Sequence, residues 1–415
     1  MTETSLSRSA PPKLELKHER KIVLMIAAVQ FVNVLDFMMV MPLGPDFARE
    51  LSIPLSKLGW IGGSYTASAA IAGLLGAIVL DRFDRRKALL FSLFFLGIAT
   101  LVGGLASHGD ALLVTRWIAG AFGGPATSLA LSIIADTVPP DRRGRAMGVV
   151  MGAFSIASVF GIPAGLELAR VGGWRTPFFA VGALILAVTA YAGLILPPMK
   201  AHLDLPKQGF LKSVRALLRA EVLFNYMLVG LGMFAAFSVI PNLSAYFQFN
   251  LGFPRERLGL LYLIGGTSSF VAMRLAGRYV DDIGPFVVGT ASTVIFITIL
   301  LLGYAQVPPL LPPGLIFVIF MVSMSIRSVA ITSLASRVPR PNERARFMSL
   351  QSAVQHIASA VGAFYAAKVL HEEPNGSLVG MPYLAVISSV LSAFLPILFW
   401  KVERSVEKKE YDASH

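Results

Sequence analysis

The chain has 415 residues, of which 55% are hydrophobic and only 14% charged, and its net charge is +12. Soluble domains carry closer to a quarter charged residues, so most of this chain is suited to lipid. The absence of cysteine excludes disulfides, thiolate metal sites and cysteine nucleophiles. No phosphate-cradling Gly-x4-Gly-Lys-Ser/Thr loop and no His-Glu-x-x-His pair occurs, the six histidines are scattered, and no nucleophile–base constellation is present. An enzyme, a metal centre and a bound cofactor are therefore not expected.

In chain order, residues 1–21 form a polar, basic tail. The apolar run that follows is long enough to span a bilayer and has no small-residue cleavage site after it, so it reads as a retained helix. Twelve stretches of about 20 mainly apolar residues can be marked. The first half, 22–196, holds spans at 22–45, 56–80, 88–106, 111–136, 147–169 and 176–196. A polar connector, 197–219, carries Pro197-Pro198, Lys200, Lys207, Lys212, Arg215 and Arg219, and is expected to contain a surface helix. The second half, 220–401, holds spans at 220–248, 257–279, 286–305, 312–336, 347–369 and 379–401, followed by a tail at 402–415. With the N-terminus inside, the clusters Arg82-Arg85-Arg86-Lys87, Arg142-Arg143-Arg145 and Arg337-Arg340-Arg344-Arg346 all fall on one side. That bias places both tails and the connector in the cytoplasm, and it accounts for the basic charge without nucleic acid.

The two halves repeat. Ala77-Ile78-Val79-Leu80-Asp81-Arg82-Phe83-Asp84-Arg85-Arg86-Lys87 is matched, 200 residues on, by Gly277-Arg278-Tyr279-Val280-Asp281-Asp282-Ile283-Gly284-Pro285. Val138-Pro139 and Val338-Pro339 keep the same offset. Two six-helix bundles related by a repeat define the expected architecture, an all-α membrane protein.

Ionisable groups within spans cost roughly 2.5–3.5 kcal/mol each on insertion scales, so each one invites a functional reading. Asp36 lies on the first helix with Asn33 and Gln30 one and two turns before it. Burial disfavours a charged carboxylate unless a cation offsets it, which makes Asp36 a candidate to take up and release a proton. Arg116 shares a face of the fourth helix with Gly120 and Gly124, whose small size permits close packing beside a fixed cation. Arg327, in Met324-Ser325-Ile326-Arg327-Ser328, is a candidate cation for substrate in the second half, and Gln355 and His356 are candidates to line a cavity. On the fifth helix Gly161-Ile162-Pro163-Ala164-Gly165 combines close packing with a proline that removes a helix hydrogen bond, so a bend is expected there.

Together these residues resemble the major facilitator superfamily over nearly the whole chain. Asp81-Arg82-x-x-Arg85-Arg86-Lys87 resembles its loop 2–3 signature, with Ala77 and Asp84 where that signature prefers glycine and Gly277 and Gly284 in the second copy. The resemblance implies that Asp81 caps or pairs with helix 11, that Arg85 reaches Asp136, and that Asp281 takes the matching gating place. Ser336-Arg337 stands where a second carboxylate would mirror Asp136. Leu35-Asp36 through Pro42, and Arg116 with Gly120, resemble signatures of drug:proton antiporters. Gly161-x-Pro163-x-Gly165 is nearer to sugar and nucleoside efflux permeases. The function so implied is proton-coupled export of a drug-like compound, sugar or nucleoside across the bacterial inner membrane by a monomer. Proton-coupled uptake of an organic anion, or a sensor or lipid-handling role on the same fold, are the alternatives.

Overall fold

The computed structural model describes residues 16–79, 82–200, 219–306, 309–340 and 344–414. Asp81, the 201–218 stretch of the predicted connector and the first fifteen residues lie outside the described residues. The first half contains α1 Leu16–Met39, α2 Leu58–Val79, α3 Arg85–Gly104, α4 Gly109–Thr137, a fifth helix in sections and α6 Arg175–Ile195. The fifth helix, α5, runs as Pro140–Ile156, a π-turn Ala157–Gly161 and Ile162–Gly172. The second half contains α7 Ala220–Phe237, α8 Leu258–Ile283, α9 Pro285–Leu300, α10 Pro313–Arg337, α11 Arg344–Val369 and α12 as Met381–Ser392 then Leu395–Ser414. Among the described residues, ten segments are long and apolar enough to cross a membrane. The multi-pass architecture, helical apart from one short hairpin, is as the sequence indicates.

Proline chemistry corrects several predicted boundaries. The 22–45 span ends at Met39, because Pro42 offers no amide hydrogen and disfavours helix at Met41; the chain turns and resumes as Gly44–Glu50. The 220–248 span likewise breaks at the 3₁₀ turn Ile240–Asn242 around Pro241. Where a bend is expected near Pro163, the helix widens into a π-turn that ends two residues before it, at Gly161, and accommodates the carbonyl that Pro163 leaves without a donor. The last helix continues through the predicted tail 402–415 to Ser414.

The two copies of the loop repeat reach the same turn by different chemistry. Asp84 caps α3, its Oδ1 accepting from the Arg86 and Met199 amides at 2.9 and 3.1 Å. Gly284 adopts φ +87°, which a side chain would strain, and Glu403 of α12 caps α9 by accepting from the Phe286 amide at 3.0 Å.

Among the described residues, the halves meet at one end and part at the other. At the meeting end Arg255 grips Asp46 through Nε and Nη2 (2.5–3.0 Å), and the Leu55 amide donates to Glu372 at 2.5 Å. Glu372 belongs to a short hairpin, His371–Glu372 with Leu378–Val379, absent from the sequence reading. Trp60 stacks on Phe364 at 4.7 Å, and α2 and α11 touch backbone to backbone: a Cβ at Gly59 would lie 2.2 Å from the Ala363 carbonyl oxygen. Toward the other end, Gly144, Gly148 and Gly152 of α5 and Gly277 of α8 have nothing within 4 Å of an added Cβ, although Gly266 of α8 packs on the Ser158 backbone farther along. Among the described residues, the seam is closed at the end bearing 40–57 and 370–380 and open at the end bearing 137–140 and 283–285. Gly148→Leu should therefore fold normally yet obstruct closure of the open end. Cross-linking between cysteines in the inner portions of α5 and α8 should fall at least several-fold, with melting temperature within a few degrees of the parent.

Candidate functional site

The site is built by close helix packing in the first half. A Cβ at Gly120 would sit 2.1 Å from the Tyr65 carbonyl oxygen and 2.2 Å from Ser68 Oγ, and one at Gly124 would sit 2.6 Å from the Ala69 carbonyl oxygen. Glycine at these positions lets α2 lie directly on α4. That approach brings the Tyr65 ring to 5.1 Å from the Arg116 guanidinium carbon, a cation–π contact. The Tyr65 hydroxyl donates to Asn33 Oδ1 at 3.0 Å, and the Asn33 amide donates to the Gly123 carbonyl at 2.9 Å and Thr127 Oγ1 at 2.6 Å. Asn33 thus braces α1, α2 and α4 from the interior.

Within this frame Asp36 and Arg116 form a two-pronged ion pair. Nη1 donates to Oδ1 at 3.1 Å and Nη2 to Oδ2 at 2.7 Å, with the side chains 0% and 1% exposed. Thr100 of α3 donates to Asp36 Oδ1 at 2.7 Å and also lies 2.9 Å from the Leu96 carbonyl. Its single hydroxyl proton is shared between them, so Thr100 can turn wholly to Leu96 if the carboxylate loses its charge. Phe37, the next residue, lies 5.2 Å from the Tyr65 ring and 6.1 Å from the Phe237 ring of α7. One residue of α1 holds the buried pair while its neighbour bridges to the other half.

The remaining sequence candidates are dispersed. Arg85 Nη1 lies 2.5 Å from Asp136 Oδ2 and donates to the Ser132 carbonyl at 3.0 Å, binding α3 to α4 beside the open end. Asp281 is exposed in the last turn of α8. Gly161 faces Leu35 of α1, with a Cβ there 2.6 Å from Leu35 Cδ1; Gly165 lies near Met39, and Pro163 follows the π-turn. Gln30 is buried with Oε1 unpartnered. Gln355 and His356 are half-buried on α11, His356 Nδ1 lying 3.1 Å from the Ser352 carbonyl. Arg327 is buried in the second half, apart from the Asp36 pair. The sequence reading missed Thr100, Tyr65 and the Asp46–Arg255 contact. A surface cleft of about 370 Å³ at the closed end, lined by Lys57, Trp60 and Asp110 among others, contains none of the buried charges. Outside the spans, Arg175 holds the Glu50 carboxyl below its ordinary range by hydrogen bonding, so that surface pair stays charged at neutral pH and weakens only on acidification.

Two helical bundles with a buried ion pair between helices are the construction of a membrane transporter. The family model of the Major Facilitator Superfamily matches residues 26–363, and the chain belongs to that superfamily. It is 25% identical over 375 residues to a chloramphenicol resistance protein of Streptomyces lividans, covering 90% of this chain and 95% of that one. It is also 25% identical over 396 residues to a probable sugar efflux transporter of Mannheimia succiniciproducens, covering 92% and 94%. Among solved structures, a bacterial homologue of the human lysosomal transporter Spinster, inward-facing and unoccupied, superposes with a TM-score of 0.72 at 15% identity over 95% of this chain and 98% of that one. The nucleoside transporter NupG gives 0.72 at 14% identity over 92% and 99%. The chain is a multi-pass transporter of a small molecule and not an enzyme.

Proposed function

We propose that the chain is a proton-coupled exporter of a small organic compound, a monomer in the bacterial inner membrane with both termini cytoplasmic. The observation that carries this reading is the Asp36–Arg116 pair, a titratable carboxylate and its cation sealed together in an apolar bundle. The drug resistance and sugar efflux named for its relatives support the outward direction. The open end is then the cytoplasmic one, and the state described is inward-facing. Proton transfer to Asp36 turns its carboxylate into a donor, breaks the two-pronged pair and frees Arg116. A displacement of α1 then moves Phe37, which is stacked on Phe237, so that a protonation event in one half alters the contact between halves. One proton entering supplies roughly 2.3 kcal/mol per 100 mV, plus about 1.4 kcal/mol per pH unit. That sustains a substrate gradient of about a hundredfold or more. Asp81, Arg85, Asp136 and Asp281 are the proposed gate of the cytoplasmic end, and Gln30, Asn33, Arg327, Gln355 and His356 the polar residues in or behind the cavity.

The test is made in inside-out vesicles with an acid interior. A substrate of the exporter should dissipate the pH gradient on addition, whereas a symporter for uptake should accumulate it in right-side-out cells and a sensor should bind it without flux. Topology is checked separately. A reporter active only in the cytoplasm should work when fused after position 205 or at the C-terminus and fail near Asp110 or Gly376; the reverse pattern overturns the orientation.

A further inference from the structure

One buried cation in the second half has no counter-charge among the described residues. Arg327 is 2% exposed, midway along α10. Its Nη2 makes a long contact of 3.4 Å with the Gly232 carbonyl, its guanidinium carbon lies 4.0 Å over the Phe296 ring, and Nη1 has no hydrogen-bond partner. Among the described residues no carboxylate pairs with it. The first half differs. There Arg116 is neutralised by Asp36, and the repeat position 200 residues before Arg327 is the uncharged Thr127, which bonds to Asn33. Among the described residues, the first half thus buries no net charge at its centre, and the second half buries one positive charge. Removing an unpaired charge from water is strongly unfavourable, and an aromatic face with one long carbonyl contact offsets only part of that.

The surroundings indicate what could supply the missing charge. Met324, one turn along α10 toward the closed end, joins Phe37, Met41, Met233, Ala236 and Phe237 in the apolar cluster where the halves touch. Gly232 is one turn from Ala236 on α7, and an added Cβ there would meet only Ile331 Cδ1, at 3.6 Å. A cation with an unpartnered Nη1 therefore lies one helical turn from an aromatic and methionine wall, behind a residue with no side chain.

We propose that Arg327 is an anion site and that the transported compound is an amphipathic organic monoanion. Its carboxylate, or an equivalent oxyanion, pairs with Nη1, and its apolar body rests against Phe37, Met233, Phe237 and Met324. The inference rests on the transport reading and narrows its substrate class. It also accords with export, because an inside-negative membrane potential drives an anion outward.

The experiment uses the purified full-length chain in detergent at low salt. Ligand-induced stabilisation is measured for aromatic carboxylates and for their matched neutral amides, with chloride as a separate titrant. The expected result is at least tenfold tighter binding of one or more acids than of the matched amide, lost in Arg327→Gln and partly kept in Arg327→Lys. If the Gln variant does not fold, Arg327→Lys alone must weaken the acid several-fold and leave the amide unchanged. Asp36→Asn separates the two proposals: a variant without proton-driven flux should still prefer the acid. Equal affinity for acid and amide across the panel would overturn the proposal. So would a preference that survives Arg327→Gln, or chloride binding with no advantage for the organic acids.

Discussion

Asp36→Asn is expected to abolish gradient-driven transport and to destabilise the fold, and a second substitution should restore only the fold. Arg116 is 1% exposed, and its hydrogen-bonding charge is directed at Asp36. Removing one member of such a pair leaves the other as an uncompensated buried charge, at a cost of about 3–5 kcal/mol. Arg116→Met alone carries the same penalty with the opposite sign of charge. The double variant Asp36→Asn, Arg116→Met buries no charge, so its melting temperature should return to within a few degrees of the parent. Proton-driven flux should stay absent, because no titratable group remains at the site. Thermal unfolding of the single and double variants, read beside vesicle flux, separates the two roles. If the double variant is as unstable as the singles, the pair is not the charge-compensating unit described; if any of the three retains full proton-driven flux, coupling lies elsewhere.

The second large effect concerns the closed end. Gly59→Val places a side chain where Cβ alone would lie 2.2 Å from a backbone oxygen of α11. Neither partner is the end of a flexible side chain, so α2 and α11 must separate. Asp46→Asn removes the two-pronged contact with Arg255 in the same plane. Hydrogen bonds to charged groups contribute about 1.5–3 kcal/mol. Either change should shift the population away from the state closed at this end by roughly tenfold to a hundredfold. The prediction is checked by spin-label distances between Asp110 and Glu256, which are exposed at the closed end on opposite halves. The distance should lengthen in both variants, and an unchanged distribution in Gly59→Val would show that the α2–α11 contact does not hold the seam.

The sequence made the architecture legible because its signals were long or repeated. Apolar runs of span length, the 200-residue offset and one-sided arginine clusters are all carried by many residues. Asp36 and Arg116 were conspicuous for another reason, since a charge in an apolar run has no routine explanation. Their mutual pairing was not legible, because nothing local records that positions 80 residues apart on α1 and α4 converge. Thr100 and Tyr65 gave no signal, being ordinary members of mainly apolar helices, and only the glycine face around Gly120 hinted at a close neighbour. The breaks at Pro42 and Pro241 were readable from proline's missing amide hydrogen but were passed over inside hydrophobic runs. The hairpin after α11 had a turn signal in Pro374-Asn375-Gly376, and Gly376 does adopt φ +84°. Which end stands open was beyond the sequence. The contacts that decide it, such as Asp46 with Arg255, join polar residues of two segments far apart in the chain.

The central claim, that the protonation state of Asp36 sets the conformational equilibrium, is tested most directly without any substrate. The chain contains no cysteine, so spin labels introduced at Lys87 and Asp282, exposed on opposite halves of the open end, report that distance alone. The state described holds the Asp36–Arg116 pair intact, so under the proposed mechanism it belongs to deprotonated Asp36. Acidification from about pH 8 to about pH 5 raises the proton activity about a thousandfold. Over that range the long-distance population should fall in the parent protein and stay fixed in the charge-free Asp36→Asn, Arg116→Met variant. An identical pH response in both proteins, or none in the parent, would contradict the account.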